Sequence, residues 1–317
     1  MRDLPAELSN GPFTRDQALE ADVTSRMLQG QRFVRLHPRV WCARDQVMTR
    51  ADTVTAARLA MPDRAHLTGI SRIQQLGVDF GPSRPVRFVV VGDLHLAVDG
   101  VFLHRTKKLP PLDGGGGGVP AAYVAFCARA RVIDAIKIGD WLLAQGHLTT
   151  NDVLARASAE LWRPGSDEAL WILEHLDGRS RSLKESETRD VRAFTGLPTP
   201  ESNALLDLDD GPTAIGDLVY RPWGLVVEYE GRHHQEDRSR FTSDIDRYAR
   251  FRASQVPYLQ VTQERLDQPR MLVGDVFRAL RQLGYDGPAP QLGERWRLLF
   301  ARVSVAVGPR DHRRHAA

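Results

Sequence analysis

Residues 215–231 read Ile215-Gly216-Asp217-Leu218-Val219-Tyr220-Arg221-Pro222-Trp223-Gly224-Leu225-Val226-Val227-Glu228-Tyr229-Glu230-Gly231. Two apolar runs flank Arg221-Pro222-Trp223-Gly224, where proline and glycine interrupt the pattern, so the stretch reads as a hairpin of strands 214–220 and 225–230. If Tyr220 pairs with Leu225, Asp217 falls opposite Glu228. Their Cβ atoms are then about 4.5–5.5 Å apart, and Glu230 lies on the same face two residues on. Like charges facing each other across a strand pair are destabilising. Three carboxylates on one face of a largely apolar hairpin therefore call for a cation, and all-oxygen donors suit Mg²⁺ or Mn²⁺ rather than zinc.

Outward from the hairpin, residues 179–288 read as one α/β unit. A helix is expected from about Leu183 to Thr195. After the hairpin come a helix over about 242–254, a buried strand at Pro257–Thr262 and a helix over 269–283. Ser182-Leu183-Lys184-Glu185 has the spacing of a capping box, which gives Glu185 an ordinary structural reading beside any functional one. Asp244 and Arg247 stand at i and i+3 on the helix, where a surface ion pair accounts for them equally well.

In order, these elements are Ser182-x-x-Glu185, Asp217, Val226-Val227-Glu228-Tyr229-Glu230-Gly231-Arg232-His233-His234, Asp244-x-x-Arg247 and the strand Tyr258–Thr262. The run resembles the bacterial endonuclease-like domains related to very-short-patch-repair endonucleases, within the PD-(D/E)XK superfamily. The resemblance implies a restriction-endonuclease-like αβββαβ domain that hydrolyses DNA phosphodiester bonds with Mg²⁺ or Mn²⁺. By the same resemblance, Asp217, Glu228 and the Tyr229 main-chain carbonyl hold the metal, and Glu185 supports a water-bridged position. Glu230 completes the acidic set, and His233 or His234 orients water or protonates the leaving oxygen. Arg232 and Arg247 neutralise phosphate charge. Two positions depart from the pattern: Glu230 replaces the motif lysine, and Gln260 stands where relatives carry arginine.

At the other end of the chain, residues 1–50 read as a helix–turn–helix with a β-ribbon. Thr14-Arg15-Asp16-Gln17 is a capping box with Phe13 and Ala18 as its staple, opening a helix over 15–21. Thr24 caps a second helix with Val23 and Leu28 as staple. Phe33–Leu36 then alternates, turns at His37-Pro38-Arg39 and resumes at Val40-Trp41-Cys42. Such a unit docks DNA with its second helix in the major groove, which places Arg26 near bases and Arg32, Arg35 and Arg39 near phosphates. This winged helix-turn-helix, followed by a mixed segment, resembles the type IV antitoxins of the abortive-infection class. That resemblance implies a second reading, a non-catalytic DNA-binding regulator with a degenerate nuclease fold and a cognate toxin protein as partner. RNA is not distinguished from DNA by the carboxylates alone.

Between them, residues 51–178 read as a mixed α+β region. Strands are expected at Val86–Val91 and Val101–His104. Helical periodicity runs from Ala121 to about Leu176, punctuated by Gly146 and capped at Thr150. The Gly114–Gly118 run lacks a following Gly-Lys-Ser/Thr and reads as a flexible insertion rather than a phosphate loop. Residues 289–317 read as a solvated basic tail.

The chain has 317 residues, 42% hydrophobic and 26% charged, which excludes a disulfide mini-protein and a disordered chain. Its formal charge is only +3, with Lys107, Lys108, Lys137 and Lys184 as the sole lysines beside 39 arginines. Bulk charge therefore says little about nucleic acid, and the positions of the arginines say more. Cys42 and Cys127 have no metal-ligand spacing and fit a reduced compartment. No stretch is long and apolar enough to span a membrane, so a cytoplasmic location is expected.

Overall fold

The computed structural model describes residues 5–206, 214–230 and 248–308, and the chain divides into two compact units, Met1–Phe126 and Cys127–Ala317. The division falls inside the segment 51–178 that reads as one region in the sequence. The architecture is mixed α/β, built on several small sheets.

The first unit opens with helix α1 (Ala6–Ser9), strand β1 (Phe13–Thr14), helices α2 (Arg15–Glu20) and α3 (Ser25–Leu28), and strands β2 (Phe33–His37) and β3 (Val40–Ala43). The expected caps are present. Thr14 Oγ1 accepts the Gln17 amide at 3.2 Å while Gln17 Oε1 accepts the Thr14 amide at 2.8 Å, and Thr24 accepts the Met27 amide at 3.3 Å. Both staples are buried, and Phe13 meets Phe33 edge-to-face at 5.7 Å within the core formed by Leu8, Ala18, Val23 and Leu28. The strands form an antiparallel sheet of order β1-β3-β2.

Helix α4 (Arg50–Ala60), strand β4 (His66–Leu67), helix α5 (Gly69–Gln74) and strands β5 (Val86–Val91) and β6 (Val101–Thr106) complete most of the unit. Their core joins Val54, Ala57, Met61, Leu67, Val86 and Phe88. Strand β5 pairs antiparallel with β4 and parallel with β6.

The glycine run is not the flexible insertion expected from the sequence. Strands β7 (Leu112–Asp113) and β8 (Gly116–Gly117) form a small hairpin. Asp113 holds the nearly buried Arg72 guanidinium through both carboxylate oxygens at 3.1 Å. Within the run Gly116 has no room for a side chain, since a Cβ there would lie 2.8 Å from the Leu67 carbonyl oxygen, and a Cβ on Gly115 would lie 2.5 Å from Arg72 Cζ and displace that side chain. Gly116 also sits at φ +139°, where other residues are strained. Gly116→Ala should therefore cost about 1–3 kcal/mol in urea-induced unfolding. A variant as stable as the parent would show that the hairpin does not pack on Leu67.

Helix α6 (Val119–Cys127) leads to the second unit, with helices α7 (Val132–Ala144), α8 (Thr150–Ala159), α9 (Ser166–Ile172) and α10 (Leu183–Ala193). The cap of α8 is Thr149 rather than Thr150, because Asp152, three residues after the cap, accepts the Thr149 amide at 2.7 Å. Strands β9 (Glu201–Leu206), β10 (Ala214–Tyr220) and β11 (Leu225–Glu230) follow α10, then helical residues 248–253 (α11) and strand β12 (Tyr258–Thr262). Helices α12 (Gln263–Leu266), α13 (Pro269–Gln282), α14 (Glu294–Leu298) and α15 (Val303–Val307) close the unit.

The sheet order is β12-β11-β10-β9, with β12 parallel to β11 and the other neighbours antiparallel. Val219, Val226, Tyr248 and Phe251 pack together in its core. Residues 289–308 are not a solvated tail. Trp296 and Leu299 are buried, the Trp296 indole donates to the Val191 carbonyl at 3.0 Å, and the Leu299 carbonyl accepts the Ile133 amide at 2.9 Å. Arg310, Arg313 and Arg314 lie outside the described residues.

Candidate metal centre

The hairpin register places the two carboxylates as the sequence implies. Tyr220 pairs with Leu225, Val219 with Val226 and Leu218 with Val227, so the next step along the ladder brings Asp217 beside Glu228. There the side chains bind the neighbouring backbone in both directions. The Asp217 amide donates to Glu228 Oε1 at 3.1 Å, and the Tyr229 amide donates to Asp217 Oδ2 at 2.9 Å. Amide donors of this kind fix a carboxylate's orientation. Asp217 is half-buried and Glu228 is 0% exposed, between Val227 and Tyr229 on the sheet's central strand pair.

Around this pair the other acidic residues divide. Glu230 is exposed and pairs in register with Thr262 on β12. Gln260 is the β12 neighbour of Glu228, so an amide rather than an arginine flanks the buried carboxylate on that side. Tyr229 is anchored by its hydroxyl, which donates to Gln263 Oε1 at 2.9 Å.

Glu185 lies in the first turn of α10 and is 9% exposed. Ser182 caps the helix by accepting the Glu185 amide at 3.1 Å, but the reciprocal half of the capping box is replaced. Glu185 Oε2 instead accepts the Arg181 amide at 2.9 Å and Asn203 Nδ2 at 2.7 Å. Asn203 is a residue the sequence reading missed. It sits on β9 between Ala204, which pairs with Gly216, and Ser202, which pairs with Leu218, and so stands across from Asp217. Its backbone is left-handed, φ +47°, a conformation that asparagine tolerates better than most residues. That tolerance was the one signal available in the sequence.

Helix α10, which carries Glu185, is fixed by a buried ionic network. The Arg189 guanidinium is 4% exposed and reaches Asp190 Oδ1 at 2.8 Å, Asp140 Oδ2 at 3.0 Å and Asp177 Oδ2 at 3.5 Å. Asp140 also accepts the Asp177 amide at 2.6 Å, and Ser202 on β9 donates to Asp177 at 2.7 Å. Burial pushes the Asp140 carboxyl up to about 7 and that of Asp190 up to about 6, against the pull of Arg189. Asp177 is held below the usual range: burial raises it, but hydrogen bonds from Arg179 and Ser202 and the Arg189 charge outweigh that effect.

Among the described residues, no three His, Cys, Asp or Glu side chains are grouped to hold a metal ion. Among those residues, Asp217 and Glu228 come together as a pair. This donor set nonetheless fits Mg²⁺, a hard cation that binds through one or two carboxylates and keeps several waters. His233, His234, Arg232, Asp244 and Arg247 lie outside the described residues.

In the first unit, Arg26, Arg35 and Arg39 are exposed and Arg32 is half-buried. Arg35 lies over the Trp41 ring at 5.8 Å, and Arg39 pairs with Asp16 at 2.8 Å. Among the described residues, no helix is long and apolar enough to cross a membrane.

Comparison of the chain with models of protein families, with curated proteins and with solved structures found no match in any of the three.

Proposed function

We propose that the protein is a metal-dependent endonuclease of PD-(D/E)XK type, brought to DNA by an N-terminal winged helix-turn-helix. One observation carries the reading: Asp217 and Glu228 meet on adjacent strands, each oriented by a backbone amide of the other strand. Two carboxylates fixed side by side in this way present oxygen donors of the kind a hard divalent cation takes. The order α10, β9, β10, β11, α11, β12 supports the same fold.

Asp217 and Glu228 would hold Mg²⁺ or Mn²⁺, with the Tyr229 carbonyl as a third oxygen. When bound, the ion supplies Lewis-acid polarisation of the phosphate and a water of lowered pKa. The chain's own part is to fix the two carboxylates before substrate arrives, so that no reorganisation is needed during reaction. Glu185 would hold a water of the metal shell. His233 or His234 would protonate the leaving oxygen, and Arg232 and Arg247 would bind the phosphate.

The exposed Arg26 and Arg35 support a second reading, a DNA-binding regulator of the antitoxin type, since docking through them needs no catalysis. One assay separates the two. Purified protein is expected to nick or cut plasmid DNA in Mg²⁺ or Mn²⁺, and Asp217→Ala is expected to leave the plasmid intact. Intact plasmid with the parent protein in both metals, together with salt-sensitive binding that Arg26→Ala and Arg35→Ala weaken, would favour the regulator.

A further inference from the structure

Strand β9 carries a polar side chain, Asn203, whose geometry the two-carboxylate reading does not use. Asn203 on β9 stands across from Asp217 on β10, and its amide bridges the Arg179 carbonyl and Glu185 Oε2, both at 2.7 Å. The Arg181 amide donates to the same oxygen, at 2.9 Å. Both side-chain hydrogen bonds of Glu185 among the described residues thus fall on Oε2. Among the described residues, Glu185 Oε1 accepts no hydrogen bond. A carboxylate held in this way has one oxygen spent on orientation and the other left for a water or a cation.

The backbone at Asn203 points the same way. A left-handed residue in the middle of a strand breaks the alternation and costs the ladder a regular pair. Here that break turns the Asn203 amide towards the helix that carries Glu185. Ser202, one residue earlier, binds Asp177, so the start of β9 is tied to the segment before α10 by two adjacent side chains.

We propose that Asn203 is a positioning residue that orients Glu185 as the outer carboxylate of the Asp217–Glu228 metal centre. The proposal rests on the endonuclease reading above. It assigns no contact between Asn203 and the metal. Asn203 acts on the ion only through Glu185, in the way outer-shell partners orient metal ligands and the waters they hold.

The test is a Mn²⁺ titration of the full-length protein followed by electron paramagnetic resonance, on the parent, Glu185→Gln, Asn203→Gly and the double variant. Glycine suits φ +47° at least as well as asparagine, so Asn203→Gly removes the donor without straining the strand. Thermal unfolding in EDTA verifies that the fold is kept. Each single variant is expected to weaken Mn²⁺ binding about tenfold, and the double variant no more than either single. A parent that binds no Mn²⁺ overturns the endonuclease reading and the proposal with it. A parent whose binding falls in Glu185→Gln but not in Asn203→Gly overturns the proposal alone. So does a double variant whose losses add, because Asn203 would then act independently of Glu185.

Discussion

Arg189→Ala should destabilise the second unit by about 3–5 kcal/mol at pH 7.5, much of the stability a domain of this size has. The size follows from what the guanidinium leaves behind. Asp140, Asp177 and Asp190 all reach it, and Asp140 and Asp190 are buried. Removing the cation strands these charges in a medium that solvates them poorly. Arg189→Lys keeps the charge but loses the planar fork that serves three carboxylates at once, so it should fall between the two.

The pH dependence gives the same prediction a second readout. Burial raises Asp140 to about 7 and Asp190 to about 6, so between pH 4 and 7 the folded protein holds protons that the unfolded chain has released. Their contribution is present at low pH and is lost as pH rises through 6 and 7. In Arg189→Ala both carboxyls move higher still, and the variant should recover part of its deficit between pH 7.5 and 5.5. Asp140→Asn should flatten the parent's profile over the same window. Urea unfolding at three pH values measures all of this. An Arg189→Ala protein as stable as the parent at pH 7.5 would mean that the network is solvated rather than buried.

The parts of the fold legible in sequence are those whose determinants are local. The hairpin at 214–230 is one: a Pro-Gly turn and two apolar runs set both strands and their register. The caps at Thr14 and Thr24 are others, because capping boxes and staples act within five residues. Strand β9 was not legible. Glu201-Ser202-Asn203-Ala204-Leu205-Leu206 lacks β-branched residues, and its asparagine leaves the strand conformation. The C-terminal helices were hidden by arginines: Trp296, Leu299 and Val303 recur at helical spacing, but the charges between them suggest a solvated end. The glycine run misled for a related reason, since glycine signals either freedom or close approach and only the neighbours decide which.

The candidate centre divides along the same line. Asp217 and Glu228 could be paired on paper because one turn relates them. Asn203 and the Arg189 network could not. Arg189 meets Asp140 from another helix and Asp177 from a loop, and no spacing in the sequence encodes either encounter.

Asp217→Asn should act in opposite directions on activity and on stability. The amide keeps an oxygen to accept the Tyr229 amide, so the local hydrogen bond survives. What is lost is the carboxylate charge beside a fully buried Glu228. Without metal, removing the repulsion between the two carboxylates should stabilise the variant by up to about 1 kcal/mol in EDTA. With Mg²⁺ present, the parent gains stability from the bound ion and the variant does not, so the order of the two unfolding midpoints should reverse. Cleavage should fall about a thousandfold, equivalent to about 4 kcal/mol of lost transition-state stabilisation. Glu228→Gln should follow the same pattern, since its amide oxygen still accepts the Asp217 amide. A residue that serves only the fold loses stability when changed, whereas a site that holds an exogenous cation carries repulsion in its absence. If both variants lower the EDTA midpoint, and Mg²⁺ leaves the parent's midpoint where it was, Asp217 and Glu228 are structural and the metal centre is refuted on stability alone.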